Sequence, residues 1–427
     1  MAIPRAIIYH SIWFDVRNYL ASFWSRPPVE QTTAKVAEFE RAFAAYMGSD
    51  DATAFPFART ALYFALKAQG FKSGSEIIMP PITIKPMVDV VLSLGLRPVF
   101  VDLELETLCF DVDQLKKAIT LKTRAIFITY LFGVVPNLEP LLTVSQEHGL
   151  VVIEDFSHAL NASFRGKKLG TFGHVGIYSC SKTKTLDAYG GGLAITNDSK
   201  LAGKLKEAKA SLKSTPASRL RSKIRDTLAW NLATRRPVFT GAVSPMLSVV
   251  GMINPELQQK LTGARLNLKP DSILPEFYFE RFTSAQAEAG LAMLAKVERE
   301  DGERISNVNT LRETLVGLGE PCARVIKEGR SVYWQFVVFA RDAERFRKAL
   351  ARRGVDTGTT NLSLVSELGI YPEHERKCQN AARIKHNAMY IPVYPRLDDR
   401  ARKHIARAIA DALEEAGGSA VPDGASR

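Results

Sequence analysis

Short apolar runs alternate along most of this chain with stretches of helical periodicity. EIIMP at 76–80, VFVD at 99–102, residues 125–132 and VVI at 151–153 are continuous apolar runs. Strands covered on both faces read this way. Between them, TAKVAEFERAFAAYM at 33–47 and FARTALYFALKAQ at 57–69 place apolar residues at helical spacing, and residues 110–119 continue the alternation. Strand–helix alternation predicts a mainly parallel sheet with helices on both faces. Further on, residues 332–339 and 346–357 give a strand and a helix, and YIPVYPRLDD leads into an alanine-rich helix. That tail of the pattern predicts a second, smaller α/β domain. The fold class expected is α/β, a large three-layer domain plus a smaller C-terminal one.

Three stretches depart from the alternation. Residues 1–30 carry Ile7, Ile8, Trp13, Phe14, Tyr19, Leu20, Phe23 and Trp24 among few charges. Their spacing predicts an amphipathic helix with its aromatics on the apolar side, packed on the body, on a second subunit or on a membrane surface. Residues 200–236 hold eleven Lys/Arg against two acids, an excess of +9, and read as basic helix. Residues 237–255 then have no charge over 19 positions. Such a length approaches a membrane span, but Pro237, Pro245, Pro255, Gly241 and Gly251 argue against a clean spanning helix and for a hydrophobic hairpin. The organisation expected is an arm (1–30), a large domain (31–200), a basic and apolar insertion (201–275), a smaller domain (276–416) and a disordered tail (417–427).

Composition narrows the class. With 427 residues, 46% hydrophobic and 24% charged, the chain has material for a large core. Cys109, Cys180, Cys322 and Cys378 have no metal-ligand spacing, which argues against a zinc site or a disulfide framework and for a reducing compartment. The start lacks an uncharged signal core, so a cytoplasmic location is expected, with peripheral contact at the inner membrane face as an option. The net charge of +12 is concentrated in the basic block. No basic stripe with interleaved aromatics marks a nucleic-acid binder.

Candidate chemistry lies in residues 151–198. A buried strand ends in Glu154 and Asp155, a second ends at Ser179, Lys184 follows, and the Gly190–Gly192 triplet leads into a third strand. Side chains at the carboxyl ends of such strands face the ligand crevice. An acid, a hydroxyl and a lysine converging there suit pyridoxal phosphate: the lysine condenses with the aldehyde, the acid pairs with the ring nitrogen and the hydroxyl takes part of the phosphate. By pattern alone, a solvated lysine and a strand end with a helix cap fit as well.

The segment resembles the DegT/StrS family of sugar aminotransferases. EDFSHA, RGKKLGTFG, SCSKTK, YGGG and TND follow one another in that family's order, and Asp155 and Lys184 are 29 residues apart, its usual spacing. The resemblance extends over most of 33–200 and 277–415 and implies an aspartate aminotransferase type I fold. It assigns Lys184, rather than Lys182, to the aldehyde, Asp155 to the ring nitrogen, His158 to the ring hydroxyl and Ser179 to the phosphate. Ala58, Arg59 and Thr60 fall where the family cradles the phosphate, with Arg59 in place of its threonine. Arg281 and Tyr130 are candidates for substrate contact. Two family features are replaced: Ile84 stands where an aromatic often stacks on the ring, and Phe279 where an asparagine reaches the neighbouring subunit's phosphate.

The implied function is transfer of an amino group from an amino acid, usually glutamate, to a keto sugar, nucleotide-bound or lipid-linked. A homodimer with no bound metal is expected. The alternatives are a dehydratase or carbon–carbon bond enzyme on the same fold, and a non-catalytic membrane-associated or regulatory protein. Family dehydratases carry histidine where Lys184 stands, and a non-catalytic chain has no need of Lys184 and Asp155.

Overall fold

The computed structural model describes residues 2–24, 29–254, 273–315, 323 and 325–418. Cys322 and the expected tail beyond Gly418 lie outside the described residues, as do residues 255–272 of the expected insertion. Seven strands form the central sheet: β1 (Asp51–Phe55), β2 (Glu76–Met79), β3 (Arg97–Phe100), β4 (Thr123–Thr129), β5 (Val151–Asp155), β6 (Val175–Ser179) and β7 (Gly192–Thr196). Their order is β1-β7-β6-β5-β4-β2-β3, and β7 alone runs against its neighbours. Ile77, Ile78, Ala125, Ile126, Phe127, Ile128 and Ile153 are buried, which is why these strands read as unbroken apolar runs.

Helices cover the sheet: α1 (Ile12–Trp24), α2 (Val29–Met47), α3 (Ala58–Gln69), α4 (Lys85–Ser93), α5 (Val112–Ala118), α6 (Glu139–Glu147), α7 (Ser199–Ala210) and α8 (Ala217–Ala233). The apolar stretch then forms α9 (Arg236–Val238), a π turn (Phe239–Val243) and α10 (Ser244–Ile253). This corrects the expected hairpin. Val238, Phe239, Val243 and Ser244 all keep right-handed helical dihedrals; Pro237 falls in the first turn after extended Arg235, where the missing N–H costs nothing, and Pro245 follows directly on the π turn. Among the described residues no helix is long and apolar enough to cross a membrane.

Later come α11 (Ser284–Leu294), α12 (Val297–Leu315), α13 (Ala343–Arg352), α14 (Gln379–Asn387) and α15 (Asp399–Glu415). A capping box fixes the start of α11: Thr283 accepts from the Gln286 amide and Gln286 accepts from that of Thr283. β8 (Phe336–Phe339), β9 (Gly358–Thr359) and β10 (Ala388–Ile391) form a smaller antiparallel sheet, ordered β8-β10-β9.

The N-terminal arm packs on the body. The Ile3 amide donates to Gly354 at 2.8 Å, the Asp356 amide returns to Ile3 at 2.9 Å, and Arg5 pairs with Asp356 at 2.6 Å. α1 departs in part from the expected amphipathicity. It packs Phe14 and Tyr19 against the core, but it also buries Asp15 and Asn18 and leaves Trp13 81% and Trp24 77% exposed. The buried carboxylate finds its partners at the site described next.

Candidate active site

β5 and β6 run side by side in parallel, with Asp155 opposite Ile177, so Asp155 and Ser179 emerge at the same end of the sheet. Between β6 and β7 the chain makes a closed loop: the Ala188 and Gly190 amides donate to the Cys180 carbonyl, and the Cys180 amide to that of Gly191. Lys184 rides on this loop. Glu154, the other acid of the pair, turns into the body. It accepts from Tyr130 Oη at 2.5 Å, the Gly170 amide at 2.7 Å and the Gly173 amide at 2.5 Å, tying the RGKKLGTFG turn to the strand.

Lys184 is buried, and that burial pulls its amine from 10.5 down to about 7, with the Asp155 charge opposing the shift. Asp155 is also raised by burial, offset by hydrogen bonds from Ser157 and by the Lys184 charge. Lys182 points elsewhere: its ammonium lies 4.6 Å from the Trp230 ring on α8, and burial lowers it while Asp226 and Asp187 support it. Only Lys184 has Asp155 as its electrostatic neighbour.

His158 Nδ1 accepts from the Phe132 amide at 3.1 Å. The neutral ring therefore carries its proton on Nε2 as a donor. Burial and the Lys184 charge hold its pKa well below the ordinary value, so it stays neutral. Trp334, from the segment before β8, lies 4.1 Å from the His158 ring and 3.6 Å from Lys184 Nζ. Its indole Nε1 donates to the Thr183 carbonyl at 2.8 Å. An aromatic thus borders the amine although Ile84 removed the expected one. No motif marks Trp334 in the sequence.

The backbone around this point is strained. Phe132, Thr183 and Tyr333 have φ of 58°, 73° and 48°, a region that costs L-residues about 1–2 kcal/mol each. Gly133 lets the segments meet, since a Cβ there would lie 2.6 Å from the His158 carbonyl and 2.8 Å from the Trp334 amide.

At the start of α3, Phe57 offers no side-chain cap to the first turn. Thr60 Oγ1 donates to the Tyr278 carbonyl at 2.8 Å. The Arg59 guanidinium lies 4.0 Å from the Phe57 ring and 4.3 Å from that of Tyr278. Its Nε is enclosed without a hydrogen-bond partner, and burial lowers its pKa. Gly192 fits against this turn, where a Cβ would lie 2.2 Å from the Ala58 amide nitrogen. Ser179 Oγ, at the end of β6, donates to Ser181 Oγ at 3.1 Å.

Both candidate substrate residues are engaged with other protein groups. Tyr130 is 1% exposed with its hydroxyl given to Glu154. Arg281 donates to the Leu212 carbonyl at 2.7 Å and the Ala210 carbonyl at 2.9 Å, capping the end of α7. It borders a cleft of about 800 Å³ whose lining includes neither Lys184 nor Asp155.

The arm also reaches the lysine loop. His10 Nδ1 faces Asp15 Oδ1 at 2.7 Å, and Nε2 faces the Asp187 carbonyl at 2.9 Å. Asp15 accepts from Tyr189 Oη on the first oxygen and Asn231 Nδ2 on the second, both at 2.7 Å. With acceptors on both sides His10 must donate twice, as an imidazolium. Burial opposes that charge, but the Asp15 hydrogen bond and the Asp187 and Asp15 charges outweigh it and raise the pKa. The only hint in the sequence is an acid inside an aromatic arm.

The family model described as the DegT/DnrJ/EryC1/StrS aminotransferase family matches residues 19–232 and 258–410. A spore coat polysaccharide biosynthesis protein of Bacillus subtilis is 35% identical over 193 residues, 45% of this chain and 48% of that protein. GDP-perosamine synthase of Caulobacter vibrioides is 35% identical over 190 residues, 44% and 51% respectively. The chain thus spans about half the length of the curated relatives it matches. The crystal structure of a sugar aminotransferase from Micromonospora echinospora superposes with a TM-score of 0.72 at 20% identity, covering 96% of this chain and 99% of the other, a likeness of fold.

Proposed function

The chain belongs to the DegT/DnrJ/EryC1/StrS aminotransferase family, and on that premise we propose that it is a pyridoxal-phosphate-dependent aminotransferase acting on a keto sugar. Glutamate is the proposed donor, and the acceptor a nucleotide-bound or lipid-linked keto sugar of envelope or natural-product biosynthesis. The observation that carries this reading is Lys184: a buried amine brought to about 7 beside a buried carboxylate. Structural lysines are seldom held so.

The side chains fit the cofactor this family implies. A titrating amine faces Asp155, and the partnerless Nε of Arg59 sits at an uncapped helix start. Arg59, Ser179 and the first turn of α3 with Ala58 and Thr60 would hold the phosphate. Asp155 would pair with the ring nitrogen, and His158 Nε2 would donate to the ring hydroxyl. When bound, the cofactor supplies an aldehyde for the nitrogen and a ring that takes up negative charge. Uncharged Lys184 Nζ accepts the proton from the donor's α carbon and later returns one to the acceptor carbon. Trp334 and the surrounding apolar wall keep water from that amine.

The test is incubation with pyridoxal phosphate, borohydride reduction and peptide mapping, followed by glutamate with a panel of keto sugars. A pyridoxyl group on Lys184 and release of 2-oxoglutarate are expected. Label on Lys182 instead, or no release with any amino donor, overturns the reading.

We further propose a homodimer. α1 and α8 lie antiparallel, since Asp15 meets Asn231 while Ser22 meets Arg221. Their outer faces leave Trp13, Trp24 and Trp230 exposed, and α10 exposes Met246 and Ile253. Apolar surface of this kind is normally covered. The second reading, contact with an anionic membrane, is favoured by the Arg221 and Arg225 side chains on the same helix pair. Sedimentation and vesicle flotation separate the two: a monomer floating with anionic vesicles supports the membrane, and a dimer that floats with none supports self-association.

A further inference from the structure

Helix α8 brings Lys223 to the same point as the start of α3. Its ammonium lies 4.8 Å from the Phe57 ring, the ring that Arg59 approaches at 4.0 Å. It also closes on the glycine triplet, where a Cβ at Gly190 would sit 3.5 Å from Lys223 Nζ. α3, the loop between β6 and β7, and α8 therefore wall one spot with two cations. Arg219 adds a third, paired with Glu280 at 2.8 Å, and Glu280 is the one acid acting on Lys223. Three cations against one carboxylate leave an excess of two positive charges.

Like charges gathered in a partly desolvated place repel unless an anion joins them. Burial first, and then the Arg59 and Arg219 charges, bring the Lys223 amine down to about 8 against the opposing pull of Glu280. Among the described residues neither Arg59 Nε nor the Lys223 ammonium has a hydrogen-bonding or ion-pair partner. An excess of two charges matches a phosphate dianion.

We propose that Lys223 is a phosphate ligand of the cofactor, reaching it from α8 of the same chain and closing with Arg59 over the first turn of α3. The inference rests on the cofactor reading above and adds to it a residue outside the segment that carries Lys184.

The test compares pyridoxal phosphate with pyridoxal, which lacks the phosphate, by absorbance titration of the wild type, Lys223→Met and Lys223→Arg. Borohydride trapping on Lys184 provides a second readout. Lys223→Met is expected to raise the Kd for pyridoxal phosphate about 10- to 100-fold and leave that for pyridoxal within about twofold. Lys223→Arg should recover most of the loss, which separates lost charge from a misfolded helix. Unchanged affinity for the phosphorylated form, or equal losses for both aldehydes, overturns the role of Lys223. A wild type that traps neither aldehyde on Lys184 overturns the cofactor reading itself, a distinguishable failure.

Discussion

The buried amine of Lys184 gives the most direct test of the site. An amine that titrates at about 7 instead of 10.5 is half uncharged at pH 7, against roughly one in 3,000 for an ordinary lysine. Its capture of an aldehyde should therefore rise with pH and reach half its maximum near pH 7. Borohydride quenching at timed intervals, with peptide mapping, measures that rate without any need for turnover. Asp155 opposes the downward shift, so Asp155→Asn should move the midpoint to lower pH, by about one unit for a neighbouring opposite charge. The linkage has a definite sign. The folded pKa lies below the unfolded one, so the stability of the apoprotein is full above about 10.5 and is lost as pH falls towards 7. The difference is up to about 5 kcal/mol, and Lys184→Met should flatten the slope. A wild-type midpoint above pH 9, or an upward shift in Asp155→Asn, would refute the electrostatic account of this amine.

Three further outcomes follow from contacts around the site. His10→Ala leaves Asp15 buried without its cation and should cost about 3–5 kcal/mol, seen in the denaturation midpoint and in faster amide exchange between Cys180 and Gly191. A double-mutant cycle with Asp15→Asn should then show coupling, and additive losses would mean the pair is not ionic. Glu154→Gln turns an acceptor of three hydrogen bonds into a group that must point donors at a donor, and should lower stability by about 1–3 kcal/mol in urea unfolding. Gly192→Ala forces a Cβ against the Ala58 amide and should weaken pyridoxal phosphate binding as well as stability, whereas Gly203→Ala, with open space around it in α7, should stabilise by about 0.5–1 kcal/mol.

Much of this protein is local in origin and was legible before folding. Parallel strands buried on both faces must be apolar throughout, so β2, β4 and β5 announce themselves. The assignment of Lys184 over Lys182 came from the resemblance to the family, since Lys184 lies in the loop beyond Ser179 and strand register does not reach it. Local periodicity failed where an element's partners are distant in sequence. The apolar moment of α1 pointed its aromatics inward, but Asp15 is taken up by His10, Tyr189 and Asn231, and those bonds turn Asp15 inward and leave Trp13 and Trp24 outside. The uncharged stretch from Pro237 carried proline and glycine signals for a break, yet Pro237 sits in a first turn, where the helix does not miss its N–H, and the backbone stays helical through the π turn before Pro245.

What the sequence by itself determined is the sheet and its covering helices, because short-range periodicity encodes them, while the family resemblance singled out the acid and the lysine. The tertiary structure alone decided the surroundings that tune the chemistry. Trp334 arrives from 150 residues beyond Lys184, His10 from 174 residues before it, and Lys223 from the basic helix. Burial, the force that lowers the Lys184 amine, is a property of that assembled wall, and no run of neighbouring residues carries it.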